Sequence, residues 1–351
     1  MARTGRSVIA HGQEFEIREY PVPDPAPGTL LLRQEMSGIC GTDLHMWQNG
    51  IGRETILGHE LCGVIEAIGQ GVTADHVGRP VREGDRIIVK PGTDGNGAYG
   101  FQPPGDPIDF TGGFSDYVYV GLPNTVFLQT EAPAEVAVIT EPFTVGVHAV
   151  LRGDVKLGDT VIVQGSGAIG LVTANCAKHS GAAQVIVVGG PADRLALAKR
   201  LGADVTINIE EVPSVDERRE IVLSHTPNGK GADVVFECAG FLPATPEGLG
   251  YVRHSGTFVE VGHFVDMGSI DLNINQLMMR RNLRFEAIWG SRTEDFVRGL
   301  RLLEKNEYPY GDMVSHVLPL EKTLDGFQAL NGTYRLGDET VVKIALGGNA
   351  R

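Results

Sequence analysis

The sequence predicts an α/β protein of two domains, one irregular and rich in β-strands, the other a doubly wound parallel sheet. Three observations carry this expectation. The chain has 351 residues, more than one ordinary hydrophobic core accommodates. Up to about residue 130 it reads as short apolar runs punctuated by Pro and Gly. From about residue 160 onward, apolar runs of four or five residues alternate with segments of helical period, the pattern of repeated β-α-β units.

In chain order, the strands expected in the first part are "TLLLRQEMSGI", "LCGVIEAIG", "DRIIVKPG" and "FSDYVYV". The Gly-, Pro- and Asp-rich stretch 91–113 reads as a long loop, a length more typical of a functional or lid-like segment than of a linker. "DTVIVQGSGAIGLVTANCAKHSG" opens the alternating part, which continues through "QVIVVGG", "ADVVFECAG" and "GTFVEVGH". Toward the end, "DFVRGLRLLEK" has the period of an amphipathic helix, a shorter helix is expected at 324–330, and a closing strand at 340–346. The style there returns to that of the first domain. The expected division is therefore 1–150 with 290–351 for the β-rich domain and 151–289 for the parallel sheet.

A formal charge of −14 disfavours nucleic acid and anionic membranes as partners, since neither polyanion is drawn to such a surface. No run reaches the roughly 18 apolar residues of a membrane span, and "MARTGRSVIAHGQEFEIREY" lacks the apolar block of a signal peptide. A cytoplasmic location is expected. Cys40, Cys62, Cys176 and Cys238 lie far apart without disulfide-framework spacing, which suits a reducing compartment.

"VIVQGSGAIG" places Gly165, Gly167 and Gly170 in G-x-G-x-x-G spacing, after the β-run 161–163 and at the start of an apolar helix that begins with Ala168 and Ile169. Glycines there permit a tight turn and let a pyrophosphate approach the helix N-terminus, where free N–H groups and the helix dipole favour anions. Alone the triplet is a weak signal; its strand and helix context points to dinucleotide binding. The second strand, where an acidic residue usually holds the ribose 2′-hydroxyl, ends in Gly189 and Gly190. Asp193 and Arg194 follow, either as contacts to the adenosine ribose or as the polar face of the next helix. NAD is expected ahead of NADP.

Cys40, His59 and Glu60 form a second constellation, flanked by Gly38, Gly41, Gly58 and Gly63. Thiolate, imidazole and carboxylate are zinc ligands, and a catalytic zinc keeps three protein ligands and an open position. Singly, Cys40 reads as a buried structural cysteine and His59 as an unrelated surface histidine. Cys62 reads as a small core residue.

Jointly, "GICGTDLH", "GHE", "TEPFTVGVHAV" and "GSGAIG" occur in an order and at spacings that resemble the zinc-dependent medium-chain dehydrogenase/reductase superfamily, the alcohol dehydrogenase family, over essentially the whole chain. The chain looks most like the polyol and threonine dehydrogenase branch, in which the glutamate of Glu141-Pro142 stands where other members carry a cysteine ligand. The resemblance implies a GroES-like β-rich catalytic domain and a Rossmann domain. It implies zinc on Cys40 and His59, with Glu60 or Glu141 as the carboxylate, directly or through water. It further implies that Thr42 accepts the proton of the alcohol and that His45 passes it outward through the cofactor ribose. Asp43, an acid beside a ligating histidine, would fix the tautomer of that ring.

The reaction so implied is reversible oxidation of a secondary, polyol or cyclic alcohol to its ketone, by hydride transfer to a nicotinamide cofactor. Met46, Trp47, Phe143 and the loop 91–113 are candidates for substrate contact, each with ordinary packing as the alternative. The competing class comprises zinc-free quinone or enone reductases and cofactor-binding proteins without catalysis, which lack the ligand set. A homodimer or homotetramer is expected, with "LRFEAIWG" at 283–290 as the interface strand. Many relatives carry a second zinc on four close cysteines, but the corresponding stretch "GDRIIVKPGTDGNGAYGFQPPGDPIDFTGGFSDYV" has neither Cys nor His. Within the loop 91–113, Asp94, Asp106 and Asp109 are the only charged candidate ligands, so one zinc per subunit is expected, with the lobe ordered by Pro103, Pro104 and Pro107, by Tyr99, Phe101 and Phe110, or by a neighbouring subunit.

Overall fold

Alternating apolar residues near the start of the chain build an antiparallel pair, β1 (Thr4–Gly12) and β2 (Glu14–Pro21), in a computed structural model that describes residues 3–93, 97–105 and 109–347. Next come β3 (Leu30–Gly38), helix α1 (Gly41–Gln48), β4 (Ile51–Ile56), β5 (Glu60–Ile68), β6 (Arg86–Val89), β7 (Tyr117–Val120), β8 (Phe127–Gln129) and the short helix α2 (Ala134–Ala137). β4 joins β1 and β2 in a three-stranded sheet. A seven-stranded sheet runs in the order Val314–Pro319, Lys343–Gly347, β3, β5, β6, β8, with β7 on β3. Its register sets up the site, because Gly38 at the end of β3 lies opposite both Glu60 of β5 and Ala345 of the C-terminal strand.

Helix α1 is an addition to the strands expected in this region. Cys40 caps it in an extended conformation, and the Asp43 carboxylate accepts the Cys40 backbone N–H at 2.9 Å, a capping box that starts the helix directly after β3. Beneath it, the rings of Phe15, Trp47 and Phe114 surround Phe327, with centroids 4.7, 5.8 and 6.1 Å away.

The other unit contains most of α3 (Thr140–Gly153), then β9 (Thr160–Gln164), α4 (Ala168–His179), β10 (Gln184–Gly189), α5 (Ala192–Arg200), β11 (Val205–Asn208), α6 (Val215–Ser224), β12 (Ala232–Glu237), α7 (Ala244–Tyr251), β13 (Val252–Glu260) and β14 (Arg284–Ala287). Its six strands are all parallel, in the order β11-β10-β9-β12-β13-β14, a doubly wound Rossmann arrangement. β9 is buried along its whole length, as a central parallel strand must be. Ile162, Ile186, Val235, Leu249, Tyr251 and Phe258 fill the core on one side.

Compact packing assigns Met1–Glu141, Leu300–Asn306 and Tyr310–Arg351 to the first unit, and Pro142–Gly299 with Glu307–Pro309 to the second. These limits differ from 150/151 and 289/290 because they fall inside continuous helices. The body of α3 packs tightly on α4, where a Cβ at Gly146 would come within 2.9 Å of the Val172 backbone. No helix among the described residues is long and apolar enough to cross a membrane.

Candidate active site

The end of β3, the start of β5 and the C-terminal strand bring Cys40, His59 and Glu60 together, with one potential ligand atom from each lying within 4.8 Å of the others. His59 turns Nδ1 toward Asp43, whose Oδ1 is 3.4 Å away, so Nε2 is the ring atom left for a ligand. Its ring also stacks on Phe101, at 5.0 Å between centroids. Burial opposes a charge on this imidazole, but Asp43 and Cys40 outweigh it and hold the group well above its usual 6.5. Glu60 is fully buried; its Oε1 accepts from Lys343 Nζ at 2.6 Å, and Lys343 also donates to the Ile39 carbonyl at 3.2 Å. Glu60 Oε2 has no hydrogen-bond partner and faces Gly38, where a Cβ would come within 1.8 Å of it.

Thr42 Oγ1 lies 3.7 Å from Cys40 Sγ. His45 is half-buried, one helical turn beyond Thr42 on α1. Glu141, in the first turn of α3, is outside the close trio of ligand atoms but within its field. Burial pushes this carboxyl up to about 7, with His59 pulling it down and Glu60 pushing it further up.

In the parallel-sheet unit, the glycines of the β9–α4 turn are required by their surroundings. Gly165 has φ +101°, and a Cβ there would lie 2.9 Å from the backbone of Cys238 and Ala239. A Cβ at Gly170 would meet the Gly165 carbonyl oxygen at 2.0 Å, whereas one at Gly167 would meet nothing within 4 Å. Gly167 caps α4, with Ala168 and Ile169 half-buried in its first turn, so the open side of the turn fronts a helix N-terminus. At the tip of β10, a Cβ on Gly189 would come 2.6 Å from Ser166 Oγ. Arg194 sits in the first turn of α5 and is only 6% exposed.

Some expected contacts resolve as packing. Trp47 belongs to the apolar core around Phe327 and donates its indole N–H to the Gln13 carbonyl at 2.8 Å, while Phe143 is fully buried. Met46 leans on the same core as Trp47. Tyr99 and Phe110 are fully buried, so aromatic packing anchors the described part of 91–113; Asp94, Asp106 and Pro107 lie outside the described residues. Two features had gone unsuspected. Lys343, the lone cation of "VVKIAL", is a buried strand residue whose charge was the available clue. Glu237, Glu260 and His263 also cluster, at the carboxyl ends of β12 and β13, with His263 Nδ1 3.0 Å from Glu260 Oε1.

Residues 26–130 match the alcohol dehydrogenase GroES-like domain family, and residues 168–305 the zinc-binding dehydrogenase family. Sorbitol dehydrogenase of Gallus gallus is 32% identical over 93% of this chain and 94% of its own, and that of Homo sapiens 30% identical over 92% and 91%. Among solved structures, an alcohol dehydrogenase from Thermotoga maritima superposes with a TM-score of 0.89 at 25% identity, covering 98% of this chain and 99% of that one. A 2R,3R-butanediol dehydrogenase from Bacillus subtilis gives 0.79 at 25%, covering 98% and 100%. The chain belongs to the zinc-dependent medium-chain alcohol dehydrogenase superfamily. Within it, the chain falls in the polyol dehydrogenase-like branch, with a GroES-like domain beside a Rossmann sheet. Membership of this family implies a metal and a nicotinamide dinucleotide, and the residues present fit both. A half-buried thiol converges with a buried imidazole and a buried carboxylate, with Glu60 Oε2 unpartnered, and the Gly167 turn is open where a pyrophosphate would lie.

Proposed function

We propose that this dehydrogenase oxidises a secondary or polyol alcohol to its ketone, reversibly, with NAD as hydride acceptor and one zinc per chain. The convergence of Cys40, His59 and Glu60 beside the Thr42 hydroxyl carries the reading. Zinc there would supply Lewis acidity that eases loss of the alcohol proton, and NAD would take the hydride. The chain's own residues do the rest. Cys40, His59 and Glu60 would hold the metal, with Lys343 paired to Glu60 and Asp43 orienting the His59 ring. Glu141, a buried carboxyl pushed up to about 7, would be able to exchange a proton near that cluster. Thr42 receives the alcohol proton and His45 carries it outward. Sorbitol and butanediol dehydrogenases among the relatives support a polyol or vicinal diol as substrate. The intact donor set and these relatives disfavour a zinc-free reductase.

The test is a panel of secondary alcohols, polyols and cyclic alcohols assayed with NAD and with NADP. Turnover of none of them by zinc-loaded protein would overturn the reading.

We further propose a homodimer or homotetramer built across β14, the edge of the six-stranded sheet, where Phe285 is 39% and Trp289 83% exposed. An open parallel edge with exposed aromatics gains by pairing with a second copy. A monomeric mass at micromolar concentration would refute it.

A further inference from the structure

We infer that Glu210, at the end of β11, supplies the carboxylate that selects NAD over NADP, in place of the acidic residue that the tip of β10 lacks. The assignment rests on the proposal that the Rossmann unit binds NAD.

The tip of β10 has no room for such a residue. Ser166, 3% exposed, donates its hydroxyl to the Gly190 carbonyl at 2.7 Å and accepts the Gly190 N–H at 3.0 Å. That clamp fills the space beside Gly189, where any Cβ would lie 2.6 Å from Ser166 Oγ and 2.9 Å from the Ser166 backbone nitrogen. A carboxylate for the ribose must therefore reach this point from another strand.

β11 is the neighbour that can provide it. Asn208 lies opposite Gly189 in the parallel register, and the Ile209 N–H donates to the Gly189 carbonyl at 2.9 Å, fixing the two strand ends side by side. The chain beyond is held by its own hydrogen bonds, with Glu210 N–H donating to Asn208 Oδ1 at 3.0 Å and Asn208 Nδ2 to Glu211 Oε1 at 3.1 Å. This turn brings Glu210 over the β10 tip, where a Cβ built on Gly190 would stand 3.5 Å from both Glu210 Cγ and Cδ. The Glu210 side chain thus lies beside the end of β10, next to Asn208, whose Oδ1 would stand 3.2 Å from the same Cβ. It is exposed and able to accept hydrogen bonds from the ribose hydroxyls. A 2′-phosphate, with a charge of about −1.5 to −2, would instead meet like charge. Arg194 offers no ready counterion, since it is 6% exposed in the first turn of α5.

The experiment measures dissociation constants of NAD and NADP for the zinc-loaded protein by calorimetry, without alcohol, in the wild type, Glu210→Gln and Glu220→Gln. Glu220, exposed on α6, controls for the loss of one negative charge. The expected result is a wild-type preference for NAD, a Kd(NADP)/Kd(NAD) ratio reduced about tenfold or more in Glu210→Gln, the scale of one charge-assisted hydrogen bond, and an unchanged ratio in Glu220→Gln. Wild-type preference for NAD with the ratio unmoved by Glu210→Gln, or moved equally by Glu220→Gln, would overturn the role of Glu210 alone. Wild-type preference for NADP would overturn the NAD reading and this assignment together.

Discussion

Lys343 Nζ stands 2.6 Å from Glu60 Oε1, both side chains buried, across 283 positions of sequence. Burial works against the ammonium, but the negative Glu60 and then Cys40 outweigh it, so the lysine is held above its ordinary pKa. The pair sits at the base of the Cys40–His59 cluster and leaves Glu60 Oε2 unpartnered beside Gly38. Its attraction largely offsets the desolvation of the two groups and leaves little net stability.

Removing one partner should therefore cost more than removing both. Lys343→Met leaves Glu60 buried and alone, with an expected loss of about 3–5 kcal/mol in denaturant unfolding of the metal-free protein. The Lys343→Met/Glu60→Gln double variant should recover much of that loss. Equal destabilisation of the single and double variants would show that Lys343 acts through packing instead.

The proposed proton path ranks its two members. Thr42 Oγ1 lies 3.7 Å from Cys40 Sγ and would stand next to an alcohol held at that cluster, whereas His45 is a turn further along α1, where water could replace it. Thr42→Val should lower kcat by about 10²-fold or more, the scale of general acid–base catalysis, and His45→Ala by less. Zinc content should be unchanged in both, and NAD affinity unchanged in Thr42→Val. Thr42→Val with wild-type kcat would remove the hydroxyl from the reaction.

Much of this was legible in one sequence because the informative residues are local. The strands at 30–38 and 60–68 announce themselves by apolar runs, and Cys40, His59 and the Gly165–Gly170 turn lie in short motifs whose chemistry depends on spacing. What escaped depends on pairings distant in sequence. Nothing near Lys343 says that its strand pairs with β3 beside Glu60, and nothing near Glu210 says that β11 carries it to Gly190. Trp47 shows the converse: adjacency to a motif suggested substrate contact, while the apolar face of α1 took it into the core. The helix itself was hidden because Cys40 and Gly41 are poor helix signals, and the Asp43 cap operates only once the backbone has turned.

Glu237 gives a pH dependence with a definite sign. Burial, then Glu260, push its carboxyl from 4.5 up to about 8, against the Ala239 and Gly240 N–H groups that favour the charge. A raised folded-state pKa means that the native chain binds more protons than the unfolded one between about 4.5 and 8. This contribution to stability is full below that window and declines as pH rises through it, with a slope of at most about 1.4 kcal/mol per pH unit. Glu237→Gln keeps an oxygen for the two N–H groups and cannot ionise. Urea unfolding at pH 5 and pH 8.5 should show the variant losing less stability than the wild type on going alkaline; parallel losses would contradict the assignment.

The zinc count is the most direct test of the metal site. A zinc ligand thiol must be deprotonated, and the other three cysteines are poorly placed for that. Burial raises the pKa of Cys62, Cys176 and Cys238 above the ordinary thiol value, with Glu237 adding to the effect at Cys238. In the other group of potential ligands among the described residues, Glu237, Glu260 and His263, Glu237 accepts two backbone N–H groups and His263 Nδ1 lies 3.0 Å from Glu260, while His263 Nε2 has no hydrogen-bond partner. With its carboxyl at about 8, Glu237 holds a proton at neutral pH where a metal would need an anion. The stretch from Gly84 to Val118 has no Cys or His with which to build a closed structural site. Elemental analysis after dialysis should therefore find one zinc per chain, falling to well below one in Cys40→Ser and in His59→Ala. Both variants should still bind NAD, because the Gly165–Gly170 turn belongs to the other folding unit. Two tightly held zinc ions per chain, or full zinc content in Cys40→Ser, would show that the metal is held elsewhere.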